Sequence, residues 1–173
     1  MSLVPFGWNP WFESHRSLLH GLVPVRVIAD VGAALRVTTG ATTMLARASG
    51  RMRHDAVTRL DLPAVGDFAG VREAQDDTVL DVLLPRSSCL VRQAAGTRPD
   101  PQPLAANVDL ALVVMALDAD FSARRLERWA QLIAGSGALP LVLLNKSDLV
   151  AEKTDDDESA ASVNDDVDTL SRP

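Results

Sequence analysis

Residues 139–148 read Leu139-Pro140-Leu141-Val142-Leu143-Leu144-Asn145-Lys146-Ser147-Asp148, an apolar run that breaks into the polar pattern N-K-x-D. A short apolar run closed by a polar turn reads as a strand. The polar residues then fall at the strand's carboxyl end, where open α/β sheets bind their ligands. An Asp there can accept two hydrogen bonds from the ring N–H and the amino group of a guanine base, while Asn steadies the loop and Lys lays its methylene stem over the ring. Adenine presents the wrong donors to such an Asp. Charge-assisted bonds are worth roughly 1.5–3 kcal/mol each, so a pair of them gives strong base selection, and Asn145, Lys146 and Asp148 are the candidate nucleotide-binding residues. The pattern accounts for selectivity and not for hydrolysis. A polar turn after any core strand can carry the same letters, so the surrounding sequence decides its weight.

Working outward, residues 109–117 (DLALVVMAL) form a nearly continuous apolar, β-branched run, as expected of a parallel strand buried on both faces. Between the two runs, Leu126, Trp129, Ala130 and Ile133 recur at helical spacing, with Arg124, Arg125, Glu127, Arg128 and Gln131 on the other faces. Asp120 or Ser122 is positioned to cap the start of that helix, and Gly135 and Gly137 to end it. Strand, helix and strand with short links predict a right-handed βαβ unit.

Farther upstream the pattern changes. Residues 21–93 hold short apolar pieces at 23–29, 34–38, 44–46, 68–71 and 79–84, separated by turn signals such as Thr39-Gly40 and Gly66-Asp67. About five short strands in some seventy residues suit a small barrel of the OB type. The predicted fold class is therefore an OB-like β-barrel followed by a partial α/β domain. Residues 1–20 are an aromatic-rich arm (Phe6, Trp8, Trp11, Phe12), expected to pack on a partner domain or surface. Residues 94–107, with three prolines and a glycine, read as a linker, and residues 108–150 as the partial α/β domain. Residues 151–173 lack apolar periodicity and are expected to be a disordered acidic tail.

The 173 residues are 47% hydrophobic, enough for a full domain and part of another, and the net charge is −6. That charge is carried by residues 151–173, with 2 basic and 8 acidic side chains, which leaves 15 and 15 in residues 1–150. The folded part is thus neutral and Arg-rich, and the acidic total does not exclude nucleic-acid binding. A single cysteine, Cys89, with His15, His20 and His54 far apart in sequence, predicts neither an internal disulfide nor a zinc site. Cys89 is expected to be a buried small residue. The first residues lack the basic-then-apolar order of a secretory signal, and no apolar run approaches about 18 residues, so the expected setting is the cytoplasm with no membrane span.

Several separate pieces occur in order: GWNPWF at residues 7–12, PAVGDF at 63–68, LPRSSCLVRQAAGTRPDPQPLAANVDLALVV at 84–114, DFSARRLERW at 120–129 and LNKSD at 144–148. Together they resemble the ribosome small-subunit-dependent GTPases, whose guanine-nucleotide domain is circularly permuted. The resemblance spans residues 7 to about 150. It implies a P-loop GTPase-like second domain and a factor that binds GTP and GDP, hydrolyses GTP and acts in late maturation of the small ribosomal subunit. The OB barrel would bind ribosomal RNA, and a monomer is the expected state. In that family the N-K-x-D motif precedes the phosphate-binding loop, and only Asn145, Lys146 and Asp148 carry over residue by residue.

Beyond Asp148 the sequence departs from the family. Neither lysine is preceded by glycine, so no G-x-x-x-x-G-K-[ST] loop occurs, and the family's metal-linked D-x-x-G element and Cys/His cluster are missing. Magnesium and zinc are therefore expected only for the full-length family. Asp67-Phe68-Ala69-Gly70 fits D-x-x-G formally but is expected to be a turn within the barrel, and Ser159-Ala160, which matches a second guanine contact in letters, is expected to be tail. Phosphate affinity in such proteins rests on a glycine-rich cradle, a lysine and magnesium, so this chain alone is expected to be inactive as a GTPase and to bind guanine nucleotides weakly at best.

Arg47, Arg51 and Arg53, with His54 and Arg59 nearby and Arg86, Arg92 and Arg98 at the barrel's exit, are the candidate RNA-binding residues. Arginines on an OB surface suit phosphate contact and base stacking, though a plain solvated surface has the same composition. Three readings stay open: the front part of a permuted GTPase, a non-catalytic RNA- or ribosome-binding protein, and a nonfunctional truncated product in which the composition break after Leu149 marks a frameshift.

Overall fold

A computed structural model describes residues 2–74, 77–93, 100–118 and 121–148. They divide into two compact units between Asp109 and Leu110.

The first unit opens with the aromatic arm, where 3-10 turns at Val4–Phe6 and Arg16–Leu19 flank helix α1 (Pro10–Ser14). Asn9 caps α1 by accepting from the Trp11 and Phe12 N–H groups, and Pro10 sits where its missing N–H costs nothing. Leu3, Phe12 and Leu19 are buried with Phe68 and Leu84. Trp8 meets the Phe68 ring edge-on at 5.2 Å between centroids. The surface that the arm packs on is thus the barrel's own end, and Arg26 fastens it by donating to the Phe6 carbonyl.

The barrel strands are β1 (Val23–Asp30), β2 (Leu35–Thr38), β3 (Thr43–Ala48), β4 (Phe68–Ala74) and β5 (Asp77–Leu83). They close in the order β1-β2-β3-β5-β4, with β4 returning to β1. The β3–β5 pair is parallel and the other pairs are antiparallel. This is the OB-type barrel the sequence predicts. Alternation fills it: Val25 and Val27, Leu35 and Val37, Ala46, Ala69, Val71 and Leu80 form the core. Register shifts between Val27 and Ala29 and between Gly70 and Val71 supply the bends that closure requires.

Between β3 and β4 runs α2 (Gly50–Asp55), capped by Ser49, whose Oγ accepts from the Met52 N–H at 3.1 Å. A 3-10 turn at Arg59–Asp61 comes next, closed by a capping box between Thr58 and Asp61. Asp67, expected in a mere turn, is fully buried and begins the approach to β4, which itself contains Phe68, Ala69 and Gly70. Its carboxylate accepts from Arg86 through both oxygens, at 2.8 Å to Nε and 2.7 Å to Nη2. Arg86 also donates to the carbonyls of Leu60 and Leu62, so one guanidinium ties the barrel's exit to the α2–β4 connection.

Beyond the barrel, β6 (Cys89–Gln93) and β7 (Pro101–Ala106) form an antiparallel ribbon. Residues 94–99 of the expected linker lie outside the described residues, while the rest of it supplies β7. The ribbon is held against the 62–67 turn: the Ala106 N–H donates to Val65 and Asn107 Nδ2 donates to the Gly66 carbonyl. Gly66 has φ +96°, and a Cβ there would strike the Ala106 carbonyl. Cys89 is only part-buried, near Arg86, and burial pushes its thiol up.

The second unit is a βαβ: β8 (Leu110–Ala116), α3 (Ala123–Ala134) and β9 (Leu139–Asn145), with β8 and β9 parallel from Leu110↔Leu139 to Ala116↔Asn145. Ser122 caps α3 by accepting from the Arg125 N–H, and Leu126 and Ile133 are its buried positions. Trp129, expected in the same stripe, is 43% exposed. Burial on both faces of β8 is met on one face only: Met115 is buried, whereas Leu110, Leu112 and Val114 are exposed. The tail from 151 onward lies outside the described residues.

Candidate functional site

The second unit brings the N-K-x-D loop to the carboxyl ends of both strands. β9 ends at Asn145, and the Leu117 N–H, one residue past β8, donates to the Asn145 carbonyl at 2.9 Å. The Asn145 side chain turns back on its own loop, Oδ1 accepting from the Lys146 N–H at 2.9 Å. Lys146 takes a left-handed backbone, φ +59°, which ends the strand sharply. Its Nζ reaches across to Asp118 Oδ2 at 2.8 Å. Asp148 comes two residues later, exposed. Asn145, Lys146 and Asp148 therefore lie on one short, solvent-open loop. An acceptor carboxylate, a left-handed lysine and an Asn buttress stand at the strand ends, where a planar base with adjacent donors can be met. Asp118 was not singled out from the sequence. The signal that could have found it is its place just past an apolar strand parallel to the one carrying the motif.

The second candidate region lies on the barrel. Arg47 is in β3, two residues beyond Leu45, which pairs with Arg36 of β2, so Arg36, Leu45 and Arg47 share the outer face of that pair. Arg51 and Arg53 come next in α2, both exposed. Two of the arginines hold carboxylates at the surface, Arg47 with Asp77 and Arg51 with Asp55, each at 3.6 Å. Such exposed pairs are weak. Arg59 pairs with Asp100 at 3.0 Å. Arg86 is taken up by Asp67 inside the fold, and Arg98 lies outside the described residues. Arg36 was missed, though the alternation Leu35-Arg36-Val37 already points it outward.

The family model for the RsgA GTPase matches residues 83–171. The chain belongs to the RsgA GTPase family. Among relatives, the chain is 40% identical over 163 residues to the small ribosomal subunit biogenesis GTPase RsgA of Syntrophotalea carbinolica, covering 88% of this chain and 44% of that protein. It is 37% identical over 160 residues to the RsgA of Streptomyces avermitilis, covering 88% and 41%. Among solved structures it resembles YloQ, a circularly permuted GTPase, with TM-score 0.56 at 21% identity over 84% of this chain and 46% of that one. YjeQ from Thermotoga maritima gives TM-score 0.55 at 19% identity, over 84% and 47%. These structural likenesses support the order of barrel and permuted GTPase-like domain.

The chain thus spans less than half the length of the RsgA relatives it matches. Among the described residues, no group of three or more His, Cys, Asp or Glu could hold a metal ion. No helix among the described residues is long and apolar enough to cross a membrane.

Proposed function

We propose that this chain carries two parts of a small-subunit assembly GTPase, an RNA-binding OB barrel and the base-reading part of a permuted guanine-nucleotide domain. The observation that carries the proposal is the loop Asn145 to Asp148, set at the carboxyl ends of two parallel strands in a member of the RsgA family. Asp148 accepts the guanine N–H and amino donors, Lys146 covers one face of the ring, and Asn145 fixes the loop from behind. The partner is the small ribosomal subunit through its RNA, in a cytoplasmic setting, with the chain bound there as a monomer. The sequence contains no G-x-x-x-x-G-K-[ST] loop, so the binding proposed is of the base, and GTP turnover by this chain alone is not expected.

NMR titration of the chain with GDP and with ADP tests the first part. GDP should be preferred by at least about tenfold, since two charge-assisted bonds are at stake, and Asp148→Ala should abolish the preference. Equal binding of both, or GTP turnover that tracks protein concentration and survives Asp148→Ala, would refute it.

The outward Arg36, Arg47, Arg51 and Arg53 support the second part, because the β2–β3 face is where OB barrels take up oligonucleotides. Co-sedimentation with small subunits should fall steeply as salt rises. It should also fall when Arg47, Arg51 and Arg53 are together replaced by Ala. Sedimentation unchanged by that triple replacement would remove the face from the function.

A further inference from the structure

We infer that Asp118 is a positioning residue for guanine recognition, one that holds the Lys146 side chain in place across the base site. The inference rests on the base-reading role proposed above and adds a residue outside the N-K-x-D pattern. Lys146 belongs to a loop anchored to β9, whereas Asp118 belongs to the exit of β8, so the 2.8 Å bond from Nζ to Oδ2 spans both strand ends. A lysine stem has four rotatable bonds, and leaving it unrestrained makes each base-binding event bear the ordering cost. With the ammonium fixed at Asp118 and the backbone fixed at φ +59°, both ends of the stem are held before a ligand arrives. Two further bonds make the frame rigid, the Leu117 N–H to the Asn145 carbonyl and the Lys146 N–H to Asn145 Oδ1. The side chains of Lys146 and Asp118 are 50% and 26% exposed, so the pair is open enough for a base to lie against the stem and moderate in strength.

The division of labour between Asp118 and Asp148 gives the test. The stem touches the ring face and is blind to the exocyclic amino group, whereas Asp148 requires that group. The 173-residue chain is titrated with guanosine and with inosine by heteronuclear NMR, as wild type, Asp118→Asn, Lys146→Met, the double variant and Asp148→Asn. Asp118→Asn should weaken guanosine and inosine by the same factor, about three- to fivefold as expected for a half-exposed ion pair. It should add nothing in the Lys146→Met background. Asp148→Asn should instead erase the guanosine preference. Unchanged guanosine affinity in Asp118→Asn, or an equal loss with and without Lys146, overturns the positioning role while base reading stands. Failure of wild type to bind guanosine overturns base reading itself, and the role of Asp118 falls with it.

Discussion

Asp67 is fully buried, and a carboxylate in that position is tolerable only because Arg86 meets both of its oxygens and the Ala64 N–H adds a third bond. Removing one partner of a buried pair leaves the other charge uncompensated, which costs about 3–5 kcal/mol. Arg86→Met should lower the stability of the barrel in urea unfolding by that amount. Arg86→Lys should recover only part of it, because an ammonium cannot make the forked contact. An Arg86→Met variant of native stability would show that the pair does not hold the fold. In sequence, Arg86 stands with the RNA-binding candidates at the barrel's exit, because depth depends on where Asp67 ends up after the chain has closed the barrel. The Asp61 carboxyl acts at the surface instead: the Thr58 backbone N–H, helped by the Thr58 hydroxyl and the Val57 N–H, holds it below its ordinary value of 3.8. A depressed folded-state value stabilises the capping box above the unfolded value, and the stabilisation is lost as pH falls through the folded one. The Val57 and Thr58 amide resonances should titrate together at that lower pH, and Asp61→Asn should make them insensitive to acid.

The elements differ in how openly the sequence announces them. The five barrel strands and the βαβ unit are legible because each is an apolar run, or a helical stripe, between turn residues, and those rules depend only on neighbours in the chain. β7 is not legible. Pro101 and Pro103 argue against a strand, yet both are accommodated because a two-stranded ribbon has a free edge on which a missing N–H goes unnoticed. The loop Asn145 to Asp148 is legible as letters, whereas the Lys146–Asp118 pair depends on parallel pairing between strands far apart in sequence. The elements should also differ in stability. The closed barrel gives all five of its strands two neighbours, but β8 and β9 are paired only with each other among the described residues. Amides of Val25, Val37 and Leu80 should therefore exchange near the global unfolding limit and those of Leu112 and Val142 much faster. Matching protection in the two units would contradict this.

At the scale of the whole chain, the second unit presents one apolar face to solvent. Parallel pairing puts Leu110 with Leu139, Leu112 with Leu141 and Val114 with Leu143 on the same side of the sheet. All six are exposed, from 47% at Leu143 to 69% at Leu139. α3 covers the opposite side, where Met115, Leu126 and Ile133 are buried. Contiguous apolar surface beyond roughly a few hundred Å² is uncommon on monomers and drives dye binding and association. The purified chain should accordingly enhance the fluorescence of anilinonaphthalene sulfonate and sediment with a concentration-dependent mass. Replacing Leu112 and Leu141 together by Ser should reduce both signals. The barrel should be untouched by that change, because its strands lie in the first unit, and the amide resonances of Val25 and Val37 serve as the internal control. Dye binding that persists in the double variant would place the exposed apolar surface elsewhere, and loss of the Val25 and Val37 resonances would mean that the first unit depends on the second for its fold.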